Sequence, residues 1–529
     1  MFKKLFTFTP PKEEYDFEIK KSLPGVRLDE KKKVSFSLRE NILLLDEAFG
    51  RKTSYDIKLR EFNVRLGRKK VSACIYFIDG LVSNQSVNDT ILMPLMVESE
   101  KLKEGGIDAV EKILLTQNQL SITDEMEKVT EEICYGSCAV FIDGYDKAFL
   151  PQVIGWERRG VEEPSGEPAI LGSRQAFNET LKTNTSMVRK MIRSEKLTIE
   201  NIVVGKAGKC NCAVLYMENI TNDSLVSEVK RRISSLKIDH IISAPELMQF
   251  IENKSFITLP QMLLTERADR CVKAIMAGRV AVLVDNSPFA IIMPITAFEL
   301  LESAEDIYLR PPYSLLVKII RLIGIFFSVY LPGIYIAAIT YHTEIFPTGM
   351  LTTIMKASRK VPFDSVTELL IMVISFEIVR EASARVPGFL GQSLGIIGPL
   401  VLGQAAISAN IVSPVMIIVF SLATIGSFAT PNYQMALSGR VLNIFYIILG
   451  STGGFLGIIA GFFCQLVLWH STKSFGVNMI SPFSDGQIFP ESFKILPIWK
   501  MENRDFYLKP KRIKEQKHIS RRWRERDEN

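Results

Sequence analysis

The stretch VPGFLGQSLGIIGPLVLGQAAISANIVSPVMIIVFSLATIGSFATPNYQMALSGRVLNIFYIILGSTGGFLGIIAGFFCQLVLW, Val386 to Trp469, carries a single charged side chain, Arg440, in 84 residues. A helix needs about 20 predominantly apolar residues to cross the hydrocarbon of a bilayer, so a run of this length has room for about three crossings. Outward from it, the 310 residues before Pro311 are dense in Lys, Arg, Asp and Glu. The contrast divides the chain into a water-soluble part and an integral membrane part.

Composition agrees with this division. Over 529 residues the mean hydropathy is +0.16, low for a chain made of spans throughout, because the soluble half dilutes an apolar half. The net charge of +6 is modest. Nucleic-acid binding is not expected, since that would cluster Lys and Arg with exposed aromatics. The start, MFKKLFTFTPPKEEYDFEIKK, is basic but lacks the apolar core of a signal peptide, so it is expected to be retained and cytosolic. The 7 cysteines are spaced unlike zinc ligand pairs, and His240, His342, His470 and His518 lie elsewhere, so no metal is expected. VVGKAGKC, Val203 to Cys210, imitates a phosphate loop but has Val203 and Cys210 at its two ends, where Gly and Ser or Thr are needed. It reads as a basic loop entering a strand. No nucleophile elbow, paired Ser and His or metal triad appears, so neither an enzyme nor a cofactor is expected.

The soluble half repeats itself. VSACIYFIDG (Val71 to Gly80) and CNCAVLYMEN (Cys210 to Asn219) are each an apolar strand ending in a polar turn. SCAVFIDGYDKAFLPQV (Ser137 to Val153) and RVAVLVDNSPFAIIMPI (Arg279 to Ile295) are each two β-rich runs around a tight Asp-Gly or Asp-Asn turn, a hairpin signal. Helical spacing is read over Ile107 to Leu120, Ser173 to Ile192 and Ser224 to Leu236. The Pro-, Gly- and Glu-rich stretch VEEPSGEPAILGS marks a boundary. The expected fold class is an α/β cytosolic region of two repeated subdomains followed by an α-helical multi-span membrane domain. Its divisions are 1–37 (a flexible start), 38–160, a linker at 161–172, 173–310, membrane residues 311–470 and a basic tail at 471–529.

Within the membrane part, Leu315 to Ile339 reads as the first span, with Arg321 snorkelling to the cytosolic interface and Pro332 loosening its middle. Gln392 to Ile407 and Ile411 to Thr430 read as two short spans, and Val441 to Trp469 as one long one. Between the first span and these, Glu377, Arg380 and Glu381 share one helical face. A mid-membrane charge costs about 2.5 to 3.5 kcal/mol on insertion scales, so such a face turns away from lipid. Two readings stay open: a polar helix lining an ion path or gate, or an amphipathic segment in the interface. Gln404 is the other polar candidate. Gly450, Gly454, Gly457 and Gly461, at four- and three-residue steps, suit close helix packing. The tail from Lys500 to Asn529 holds 11 Lys or Arg against 6 Asp or Glu and belongs in the cytosol. With both termini cytosolic the crossings are even in number; four full spans are expected, with 362–386 interfacial or re-entrant.

Several separated motifs, in order, resemble one family. SVNDTILMPLM (Ser86 to Met96), RQAFNETLKTNTSMVRKMIRS, LTERADRCVKAIMAGRVAVLVDNSPFAIIMP and the membrane runs FPTGMLTTIMKASRKVPF, FEIVREASARVP, GQAAISANIVSP and TIGSFATPN look like the A subunit of GerA-type spore germinant receptors. The resemblance covers about Leu38 to Tyr507. It departs where SRQAFNE replaces a Gly-Pro-Arg-type opening and in the basic tail beyond Pro510. It implies residence in the spore inner membrane, a transporter-like B subunit that binds the nutrient, a lipoprotein C subunit, and a homo-oligomeric ring around a path for monovalent cations. Glu377, Arg380, Glu381 and Gln404 would then help form or gate that path. A paralogous ion-releasing channel, a solute transporter and a non-conducting scaffold are the alternatives.

Overall fold

The structure is a computed structural model; it describes residues 17–20, 32–66, 69–97, 110, 120–155, 164, 166–167, 169–386, 389–485 and 502–515. Of the helical expectation over 107–120 all but 110 and 120 lie outside the described residues, as do 161–163, 165 and 168 of the linker at 161–172.

The soluble half holds two five-stranded antiparallel sheets. In the first, α1 (Leu38–Phe49) precedes β1 (Ile57–Leu66), β2 (Lys69–Ile78), β3 (Leu120–Thr123), α2 (Met126–Tyr135), β4 (Ala139–Ile142) and β5 (Ala148–Pro151), in the sheet order β1-β2-β4-β5-β3. In the second, α3 (Leu181–Met191) precedes β6 (Leu197–Val204), β7 (Cys210–Met217), α4 (Asp223–Ser234), α5 (Ala244–Ile251), β8 (Leu263–Thr265), α6 (Ala268–Met276), β9 (Val280–Val284) and β10 (Ala290–Met293), in the order β6-β7-β9-β10-β8. The two orders correspond strand for strand. The paired sequence motifs occupy β2 and β7, then the β4–β5 and β9–β10 hairpins.

The central strands β2 and β7 are near-continuous apolar runs because both faces of each sheet are covered. Successive side chains point to opposite faces. Cys74 and Tyr76 pack with Leu45 and Phe49 of α1 and Val129 and Ile133 of α2, whereas Ala73 and Ile75 pack with Val87, Ile91 and Leu95 on the other side. In the second sheet Ala213 and Leu215 meet Val188 of α3 and Cys271 of α6, while Cys212 and Val214 meet Val229 of α4 and Leu247 of α5. The sheets are joined by a buried ion pair. Arg189 on α3 donates through Nε to Asp56 at 2.8 Å, both side chains under 5% exposed, and through Nη2 to Ser54 Oγ.

One helix is shorter than its sequence pattern. Residues 173–180 are not helical; Phe177 N donates to Glu266 O, Asn184 Nδ2 donates to Asn178 O, and Asn178 N donates to Asn184 Oδ1. Asn184 is buried, and this side chain to backbone exchange holds the entry extended until α3 begins after Thr180.

The helical part comprises α7 (Pro311–Tyr341), α8 (Thr348–Ser358), α9 (Ser365–Arg385), α10 (Phe389–Ser408), α11 (Pro414–Phe428) and α12 (Tyr433–Ser471). Helices α7 and α12 are long and apolar enough to cross a membrane. At 15 residues α11 is about 22 Å long, shorter than full hydrocarbon. The chain does not run straight through α12. Gly454 has φ 57° and ψ −145°, a backbone region essentially reserved for glycine, and the helix reverses there. Tyr446 Oη donates to Gln465 Oε1 at 2.5 Å, whereas 19 residues of continuous helix would set them about 28 Å apart. The expected single long span over Val441 to Trp469 is therefore a hairpin of two antiparallel arms.

The first arm runs parallel to α7. Asn443 Nδ2 donates to Ser328 O at 2.6 Å, Gly450 abuts Gly333, and Tyr341 Oη donates to Ser451 O at 2.9 Å. The second arm returns, so that Gln465 also accepts from Tyr330 Oη of α7 at 3.1 Å. Helix α11 opposes α7 with Gly426 against Gly324, and α9 runs alongside α11, Phe376 meeting Phe420 edge-on at 4.7 Å. Leu369, Met372, Val373 and Phe376 bury α9 against these neighbours. This helix, in the 362–386 stretch expected to be interfacial or re-entrant, is a packed member of the bundle.

Candidate functional site in the membrane helices

Glu377 lies about 12 Å before the end of α9, eight residues from Arg385. Its carboxylate sits 2.8 Å from Arg380 Nη1 and 3.8 Å from Arg440 Nη1, the lone charge of the apolar run, on the first arm of α12. Two guanidiniums on different helices thus converge on one acid. Arg440 Nε is buried with no hydrogen-bond partner among the described residues. An uncompensated guanidinium N–H at this depth is costly, so the cluster is held by packing as well as by charge.

Glu377, Arg380 and Glu381 of α9 do not act as one group. Glu381 pairs instead with Arg385, at 2.6 Å, on the outward side, where their side chains are 66% and 78% exposed. Gln404 is likewise exposed on α10 and is not among the groups around Glu377.

The four glycines fall at helix contacts of two kinds. A Cβ at Gly450 would strike the Gly333 carbonyl oxygen, so this residue sets the α7–α12 approach; Gly454 is the reversal itself. Gly457 faces the Leu449 carbonyl and Gly461 faces Leu449 and Tyr446, both within the hairpin.

Three features escaped the sequence reading. Glu368 is 1% exposed and accepts from Ser413 N, a free amide at the start of α11, tying α9 to that helix end. Gln465 gathers two tyrosine hydroxyls inside the bundle. Arg440 was visible as the lone charge, but its partner lies 63 residues earlier and no local spacing links them. Nearby, a cavity of about 40 Å³ is lined by Ser328, Tyr330, Met435, Ser438, Gln465 and Trp469 among others. Ser438 Oγ is buried without a protein partner among the described residues, and the cavity has room for about three waters.

The chain beyond α12 returns to the second sheet. Ser474 Oγ donates to Gln261 O, and Arg279 Nη2 meets Asp505 at 2.9 Å and also Glu299. Burial pushes the Glu299 carboxyl up while Arg279 beside it pulls it down, with burial prevailing. Residues 502–515 are thereby docked on the soluble half, next to Ile19 and Lys20, which are bonded through Lys509 and Asn222.

Comparison with known proteins follows this geometry. Residues 44–507 match the family described as Bacillus/Clostridium GerA spore germination protein. Spore germination protein KA of Bacillus subtilis (strain 168) is 34% identical over 475 residues, 89% of this chain and 86% of that protein. The uncharacterized membrane protein YfkQ of the same organism is 34% identical over 473 residues, 88% of this chain and 89% of that protein. A crystal structure of the N-terminal domain of the A subunit of the Bacillus megaterium spore germinant receptor GerK3 aligns with a TM-score of 0.40 and 24% identity, covering 50% of this chain and 96% of that one. By its match to the family over residues 44–507 and to relatives over most of its length, this chain belongs to the GerA family of spore germination proteins.

Proposed function

We propose that this chain is the A-type subunit of a nutrient germinant receptor in the spore inner membrane. Helices α7, α9, α10, α11 and the two arms of α12 alternate in direction, which makes six passes and returns the chain to the side of the sheets. Both termini then face the spore core. The corresponding strand orders support reading the two α/β units as copies of one fold. Copies of the chain form a ring around a path for monovalent cations. A transporter-like B subunit binds the nutrient, and a lipoprotein C subunit completes the receptor.

One observation carries the oligomer and pore. A single copy leaves Glu381 and Gln404 exposed on the outer sides of α9 and α10. A charged or amide group turned toward lipid is costly, the more so with depth, so these groups are assigned to water or to another copy. Glu377, Arg380 and Arg440, which tie α9 to α12, form the gate. Nutrient on the B subunit can open it only through a differential affinity for the two states, which requires physical coupling between the subunits. Cation flux through the protein in liposomes, alone and with its B and C partners, with and without germinants, tests this. Flux that depends on this chain and falls in Glu377→Gln or Arg380→Ala supports the reading; no flux in a correctly inserted assembly favours a non-conducting scaffold.

A further inference from the structure

Two loops of the second α/β unit carry its most exposed apolar side chains, and both lie beside the ends of the helices read as membrane spans. Ile170 is 87% exposed and Phe256 is 86% exposed, above every other large hydrophobic residue described. Described residues next to each tip are held by hydrogen bonds and ion pairs.

Around Phe256, the buried Gln261 side chain accepts from Asn253 N at 2.9 Å and donates to Lys254 O at 2.7 Å, closing the loop below its tip. Asn253 Nδ2 donates to Lys473 O at 2.7 Å and Lys254 Nζ to Ser471 O at 3.3 Å. The tip is therefore fixed at the exit of α12, a few residues beyond Trp469. Around Ile170, Glu167 is held by Arg270 at 2.7 Å, and Arg267 Nη2 donates to Ser173 O at 2.8 Å. Ile170 N donates to Glu305, and Gly172, at φ 114°, lies against the Tyr308 ring. This second tip is fixed at the entrance to α7, where Arg321 is anchored to Asp306 at 2.7 Å. The outer side of the α7 entrance, Tyr313, Leu316 and Ile320, is exposed and apolar as well.

We propose that the second α/β unit rests on the bilayer surface through these two tips, with Ile170 and Phe256 inserted at the boundary between headgroups and acyl chains. Two pinned loops flanking one pair of helices define a plane, and apolar tips in that plane gain burial in the interface that water would deny them. The partner is the lipid itself. The contact would set the tilt of the second sheet relative to α7 and α12. This inference rests on the reading of those helices as membrane spans.

The test is spin-label accessibility in the full-length protein in vesicles of phosphatidylcholine and phosphatidylglycerol. Nitroxides are placed by Ile170→Cys or Phe256→Cys in a Cys464→Ser background; the other six cysteines are buried. Labels at Ile323→Cys on α7 and at the exposed Val203→Cys on β6 serve as lipid and water references. The expected result is an oxygen-to-nickel-chelate collision ratio at 170 and 256 shifted from the Val203 value toward the Ile323 value. Water-like ratios at 170 and 256 with a lipid-like ratio at 323 overturn the inference and leave the spans intact. A water-like ratio at 323 as well overturns the membrane reading beneath it. Spin–spin broadening at 170 or 256 that disappears on dilution with unlabelled protein assigns the tips to a second copy and also overturns the inference.

Discussion

Arg440 stands alone in 84 residues of apolar sequence and finds Glu377 on another helix. A charge kept in such a setting has a partner or a function. Because the Glu377 side chain is 43% exposed, the coupling is screened and worth about 1 kcal/mol rather than the several of a fully buried pair. A double-mutant cycle of Glu377→Gln and Arg440→Gln, read by thermal unfolding in lipid nanodiscs, is expected to give that coupling. The double variant should be more stable than the sum of the singles implies, since Glu377→Gln alone leaves Arg440 without its acid, while Glu377 keeps Arg380 when Arg440 is replaced; strict additivity would dissolve the Glu377–Arg440 pair as a unit.

At the scale of the element, Gly454 decides whether α12 is one span or two. A side chain there is strained by φ 57° and meets the Tyr341 ring and His342 at about 3.2 to 3.3 Å. Gly454→Ala is expected to destabilise the bundle by about 1 to 3 kcal/mol, measured by denaturant unfolding in detergent. The reversal itself is checked with Leu449→Cys and Gly461→Cys in a Cys464→Ser background. A short bifunctional thiol reagent should join them within one chain, whereas a continuous helix holds them about 18 Å apart and no intramolecular product would form.

For the whole molecule, the buried Arg189–Asp56 pair and the docked carboxyl-terminal segment fasten the units to each other and to the end of α12. Removing one partner of a buried ion pair leaves a desolvated charge, at a cost of about 3 to 5 kcal/mol. Asp56→Asn is expected to weaken the joint by much of that amount and to raise hydrogen exchange at β1 and β6, next to the pair. Unchanged exchange there would mean that apolar packing and the remaining bonds between the units, Tyr55 N to Ile199 O and Lys182 to Asp79 among them, hold the two sheets without the pair.

What could be read without coordinates was what depends on local pattern. Apolar, β-rich runs and the paired hairpin turns at Asp143 and Asp285 marked the strands, and the near-absence of charge after Val386 marked the apolar helices, because transfer free energy is set residue by residue. The family was equally legible, since its motifs are contiguous. Contacts between residues distant in sequence were not. The extended entry to α3 depends on Asn178 exchanging bonds with Asn184, the Glu377–Arg440 pair on α9 lying beside α12, and the fold-back at Gly454 on a φ that glycine permits and no composition demands. Helical spacing reads the same whether a glycine continues a helix or reverses it; the packing of Gln465 against Tyr330 and Tyr446 chose the reversal, because that arrangement pairs the buried Gln465 and Tyr446 with each other and with the half-buried Tyr330.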